Sequence, residues 1–109
     1  MKNSFDEKIL EEAEDWLIAK RKVILATVTE TWGSSPRPVG SRMIINDMGD
    51  FSGSVSGGCV ETSVVRESLQ MLKKNKTSKK IKFEVSNENA WEIGLACGGK
   101  ISIYLEEIK

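Results

Sequence analysis

Histidine is absent from this 109-residue chain. That removes serine–histidine and cysteine–histidine nucleophilic catalysis, and with them every histidine-ligated metal site. Cysteines, carboxylates, Lys and Arg, hydroxyls and the backbone are left to do chemistry. Cysteine itself is scarce, with only Cys59 and Cys97. Two thiols do not make a disulfide framework, so a reduced, cytoplasmic chain is the simpler reading. They are also too few for a structural zinc site. Neither sign of charge is in excess, since 16 basic residues face 16 acidic ones. A dedicated nucleic-acid binder carries a clear basic surplus, so that class is set aside. No apolar run approaches the roughly 20 residues of a membrane span. The first fifteen residues, MKNSFDEKILEEAED, are acidic and amphipathic, unlike a signal peptide. The length fits a single domain over residues 1–109.

What is present reads as alternating helices and strands. Ser4 to Glu7 has the form of a capping box. Phe5, Ile9, Leu10, Ala13, Trp16 and Leu17 then recur at helical spacing, with an acidic, solvated opposite face. The helix is expected to end near Lys20-Arg21-Lys22, where cations suit its dipole. Val23 to Thr29 is β-branched and nearly continuous, as in a central strand buried on both faces. From Glu30 to Ser41 the prolines, glycines and serines predict a long loop, a setting in which function concentrates. Arg37, between Pro36 and Pro38, is a stiffly held fork of donors suited to an anion.

Arg42 to Ile45 and Phe51 to Val55 flank the turn residues Asn46 to Asp50 and predict a hairpin. A second helix is expected from about Val60 to Lys74, burying Val60, Val64, Val65, Leu69 and Leu72. The lysines between Lys73 and Lys80 read as a solvated helix end and turn. Ile81 to Val85 alternates as a half-buried strand, Ser86 to Glu92 reads as a capped helical turn, and Ile101 to Leu105 closes as a strand. Together these predict an α/β (α+β) domain, a single mixed β-sheet with helices packed on it and Gly/Cys loops opening at one edge.

The chemistry gathers where glycine meets cysteine. In Gly53 to Glu61 a strand runs into Gly57-Gly58, then Cys59, then a helix start. Unpaired amides and the helix dipole favour an anion there and ease ionisation of a thiol. Gly94 to Gly99 places Cys97 before Gly98-Gly99. If the two loops open together, both cysteines face one pocket with the Trp32–Gly40 loop, suited to an anionic, sulfur-rich or metal-bearing ligand. The alternative is that both cysteines are small buried hydrophobes and the glycines only permit turns. A redox pair of Cys59 with Cys97 also stays open. Trp32 and Trp91 flank these loops as wall or core residues. Glu61 and Glu92 are carboxylates at helix termini, where a structural role is the more common one.

Three segments, Glu30-Thr31-Trp32-Gly33-Ser34-Ser35-Pro36-Arg37-Pro38-Val39-Gly40, Gly53-Ser54-Val55-Ser56-Gly57-Gly58-Cys59-Val60-Glu61 and Ala90-Trp91-Glu92-Ile93-Gly94-Leu95-Ala96-Cys97-Gly98-Gly99, occur in the order and spacing of the N-terminal domain of the XdhC/CoxI family. The chain resembles that family over residues 5–107. The resemblance implies a molybdenum-cofactor chaperone rather than an enzyme, one that shelters molybdopterin while a cysteine desulfurase partner equips it. It then hands the cofactor to an apo molybdenum hydroxylase of the xanthine dehydrogenase type. On that footing Arg37, Gly57 and Gly58 are expected at the phosphate or pterin, Cys59 and Cys97 near the metal or its exchangeable sulfur, and Gly98 and Gly99 among the cofactor-binding residues. Fuller members continue into a Rossmann-like domain, so a separate Rossmann-domain partner and a homodimer are further expectations. Two rival readings are a small thiol enzyme relaying sulfur or electrons through Cys59 and Cys97, and a dimeric assembly module without ligand.

Overall fold

The computed structural model describes residues 4–32, 39–55, 60–85 and 99–108, with the side chains of residues 4–7, 32, 84 and 85 excepted. Among the described residues, two helices and five strands follow one another as α1 (Ser4–Ile18), β1 (Val23–Trp32), β2 (Arg42–Asn46), β3 (Phe51–Gly53), α2 (Glu61–Lys73), β4 (Ser78–Val85) and β5 (Gly99–Ile108). The strands form one sheet in the order β3-β2-β1-β5-β4. The expected single sheet with helices packed on it is therefore present, and each of its pairings is antiparallel.

Alternation along β1 builds two cores. Ile24, Ala26 and Val28 face one side, where they join Met43, Ile45, Ile101, Ile103 and Leu105 beneath Val60, Val64, Met71 and Leu72 from the α2 segment. Val23 and Ile44 face the other side and meet Ile9 and Ala13 of α1, with Trp16, Leu17 and Leu25 packed around them. Period two in the strand and period 3.6 in each helix make this division. Full burial of each branched side chain contributes about 1.5–3 kcal/mol before entropy is counted. The central, doubly buried β1 read from the sequence is thus in place.

Three boundaries differ from the sequence reading. First, α1 stops at Ile18 and has no cation in its last turn. Lys20 takes φ 63°, its N–H donates to Leu17 O, and Arg21 N–H donates to Trp16 O. That pair of bonds is a Schellman closure, which satisfies the last carbonyls without glycine. Asn75, at φ 56°, closes α2 the same way through Leu72 and Met71. Second, Glu30 to Trp32 belong to β1, paired with β5, and not to the loop. Third, Lys79 and Lys80 lie in β4, a terminal strand that starts at Ser78. Lysines on an edge strand discourage unwanted pairing, which a composition-based turn prediction misses.

Within β1 the pairing to β5 shifts between Val28 and Glu30. Thr29 is the extra residue of a bulge, and its hydroxyl donates to Ser102 O at 3.3 Å. The other partner strand is also irregular here, since Val28 N–H donates to Ser41 O while Gly40 N–H donates to Val28 O. Bulges commonly re-aim a strand beside a functional loop.

Candidate functional site: the loop end of the sheet

The antiparallel order sorts the connections into two ends. Trp32 pairs with Lys100, Val85 with Gly99, Thr27 with Arg42 and Met43 with Gly53. The end of β1, the start of β2, the ends of β3 and β4 and the start of β5 therefore share one end of the sheet. All three segments that carry the sequence motifs leave from there: residues 33–41, 54–60 and 86–98. The structure thus brings the flanks of the Pro-Arg-Pro, Gly-Gly-Cys and Cys-Gly-Gly segments to one place. Arg37, Gly57, Gly58, Cys59, Cys97 and Gly98 themselves lie outside the described residues, as do Trp91, Glu92 and the Ser86–Glu92 helical turn. Gly99 is described and opens β5 opposite Val85.

Glu61 is the best-defined polar group at this end. It begins α2 and is only 7% exposed. Its Oε2 accepts the Ser54 hydroxyl at 2.7 Å and the Val55 N–H at 2.9 Å. Val55 is fully buried, so its amide would otherwise be an unsatisfied donor. The carboxylate also stands in the first turn of α2, where the helix dipole favours negative charge. One side chain thereby ties the exit of β3 to the start of α2 across residues 56–59. No side-chain cap is supplied by Val60, the N-cap residue, and the Glu61 clasp is a polar fastening of this corner. In the sequence Glu61 reads only as a helix-terminus carboxylate. The one local signal for its role is a serine seven residues before a glutamate, with Gly-Gly between them.

Gly53 is the second feature of this end. It adopts φ +91°, and a Cβ there would lie 2.5 Å from Arg42 O, 2.7 Å from Ile9 Cδ1 and 2.9 Å from Met43 Cα. Glycine is required twice over, by backbone conformation and by the approach of α1 and β2. Its absent side chain lets Ser54 N–H donate to Arg42 O at 3.2 Å and sets the direction in which the chain leaves for Glu61.

Arg42 is the described arginine at the loop end. Alternation with Met43 and Ile44 puts it on the α1 side of β2. Its Nε is buried and has no hydrogen-bond partner among the described residues. An unsatisfied buried donor typically costs about 1–3 kcal/mol, and an incoming anion would offset that. No local pattern signals this arginine, because the cation that stands out in the sequence is Arg37. Among the described residues no cluster of three or more metal-ligating side chains occurs. No helix among them is long and apolar enough to cross a membrane.

The family model for the XdhC and CoxI family matches residues 16–84. This chain belongs to that family. The molybdenum cofactor insertion chaperone PaoD of Escherichia coli is 32% identical over 102 residues, which cover 93% of this chain and 31% of that protein. A probable xanthine dehydrogenase subunit of Bacillus subtilis is 32% identical over 91 residues, 82% of this chain and 27% of that protein. The chain spans less than a third of the length of these curated relatives. Among solved structures, a xanthine dehydrogenase from Bacillus halodurans superposes with a TM-score of 0.74 at 28% identity, covering 91% of this chain and 30% of that one. The family-model match spans the first two of the three motif segments, and the third, Ala90 to Gly99, lies beyond it.

Proposed function

We propose that residues 1–109 form one XdhC/CoxI-type domain that binds molybdenum cofactor and delivers it to an apo molybdenum hydroxylase. The observation that supports this reading is the convergence of all three motif-bearing connections on one end of the sheet, with Glu61 fastening the central one. The name of the Escherichia coli relative, an insertion chaperone for this cofactor, points the same way. Cofactor is cargo here. This chain's part is to offer backbone amides beside Gly57 and Gly58 to the cofactor's phosphate and a guanidinium from Arg37, with Arg42 at hand on β2. Soft sulfur from Cys59 and Cys97, beside Gly98 and Gly99, would stand near the metal. In this reading the domain holds and orients the cofactor and carries out no bond-breaking step. A cysteine desulfurase, a second protein with a Rossmann-like domain and a second copy of this chain are the partners it would work beside, in the cytoplasm.

The test is anaerobic titration of molybdenum cofactor into the purified chain, read by absorbance and by phosphate recovered after denaturation, with the Cys59→Ser/Cys97→Ser double variant alongside. Stoichiometric binding that the double variant loses is the expected result. Binding that survives the substitutions would keep the function and remove the roles of the cysteines. Absence of binding by the wild-type chain would overturn the reading in favour of a thiol relay or an assembly module.

A further inference from the structure

A groove of about 310 Å³ lies between α2 and the outer described strand, lined by Ser63, Arg66, Glu67, Ile81, Lys82 and Phe83. The three α2 residues fall on one helical face by their spacing. Ile81, which is buried, and Phe83, which packs half-buried against the core, form an apolar floor. Glu67 is engaged by Lys79, which answers its charge. Arg66 is exposed, and no ion pair to it occurs among the described residues. The groove therefore sets a guanidinium fork over an apolar floor. Lys73, Lys74 and Lys76 extend the positive field along the end of α2 and the turn after it.

The neighbouring strand edge adds a second element. β4 is the terminal strand of the sheet among the described residues. Glu107 N–H donates to Thr77 O, and this bond sets the phase of the ladder. Odd-numbered β4 residues bond to β5, so the peptide groups of Ser78 and Lys80 turn outward. A second copy's β4 would bring lysine against lysine, which disfavours self-pairing. An acidic strand meets the opposite situation.

We propose that this groove and edge dock an extended acidic segment of a partner protein, with a bulky apolar side chain over Ile81 and Phe83 and a carboxylate on Arg66. Strand addition supplies the backbone contacts and the groove supplies the selection. Ser63 lies two residues beyond Glu61, so a docked segment borders the start of α2 and the loop end of the sheet. This docking is independent of the cofactor reading, because none of the cofactor-facing residues takes part.

The experiment uses the whole chain and a blocked peptide alternating glutamate with phenylalanine and valine, compared with the same peptide carrying lysine for glutamate. Amide chemical-shift mapping should place the acidic peptide at Ser63, Arg66, Lys80 and Phe83. Arg66→Glu should weaken its affinity by about tenfold or more. Lys8→Glu, the same charge change on exposed α1, should leave affinity within about twofold. Circular dichroism of both variants separates lost binding from lost fold, and Arg66→Ser serves if the glutamate variant does not fold. Equal binding of the lysine peptide, shifts confined to another face, no binding of the acidic peptide, or an unchanged affinity in a folded Arg66 variant would each overturn the proposal.

Discussion

The two ends of the sheet are built by different rules. At the end where β1, β3 and β4 begin, the connections are residues 19–22, 47–50 and 74–77, four residues each. Each is closed by its own bonds. Two are Schellman turns, and the third is held by Asn46, whose Oδ1 accepts the N–H groups of Met48 and Asp50 at 2.9 and 3.1 Å. Gly49 at φ +86° completes that hairpin turn. At the opposite end the connections run through residues 33–41, 54–60 and 86–98, and they hold both cysteines and both prolines. Short, self-satisfied turns fix register, whereas longer connections on the same scaffold are where binding chemistry is usually placed. The contrast teaches that one sheet keeps its short, self-closed turns and its long motif-bearing connections a sheet's length apart, without separate domains.

Substitutions can break that contrast, and the largest effect is expected at Gly53. Gly53→Ala forces a Cβ into Arg42 O and Met43 Cα at positive φ, and should cost about 3 kcal/mol, read as a lowered denaturant midpoint. Glu61→Ala leaves the Val55 amide buried without an acceptor and should cost about 2 kcal/mol. Glu61→Gln keeps an acceptor oxygen, so its loss should be about 1 kcal/mol. Cofactor titration of the folded glutamine variant then sharpens the comparison. Weakened binding marks the clasp as positioning the loop, and unchanged binding would reduce it to a stability element. On the closed end, Asn46→Ala removes the acceptor for two amides and should cost about 1–1.5 kcal/mol by chemical denaturation. Binding by the folded variant should be unchanged, and a change would dissolve the distinction between the ends. The smallest effect is expected at Lys20, where glycine relieves a left-handed conformation. Lys20→Gly should stabilise by about 0.5 kcal/mol.

Much of this architecture can be read from the residues. The alternation in Ile81 to Val85, the β-branched run from Val23 and the helical spacing of Ile9, Ala13 and Trp16 each lead to the right element, because burial imposes those periods. The hairpin at Asn46 to Asp50 follows from turn chemistry. Other features depend on tertiary contacts that no local pattern carries. Glu30 to Trp32 resemble loop because the Gly- and Pro-rich residues after them dominate the composition, yet β5 supplies them with partners from the far end of the chain. The cations from Lys20 to Lys22 mark where α1 ends, but the left-handed turn at Lys20 has no local sign, since lysine has no preference for it. The candidate site is legible as three motifs and a family resemblance, while Glu61 and Gly53 at the same end are not. Glu61 needs the burial of Val55 to be understood, and Gly53 needs the position of Ile9 and Arg42.

The bulge at Thr29 divides β1 into two reading frames. Up to Val28 the strand answers to the core, with Val28 opposite Ile103. One inserted residue offsets everything after it, so that Glu30 comes to stand opposite Ser102 and Thr31 opposite Ile101. In the uninterrupted frame Glu30 would fall opposite Ile101 and carry its carboxylate toward the apolar side. Instead it reaches Lys80 at 3.5 Å across the other face. The same strand can therefore satisfy the core with one half of its length and turn Glu30 to the opposite face with the other. Neither half constrains the sequence that the other needs.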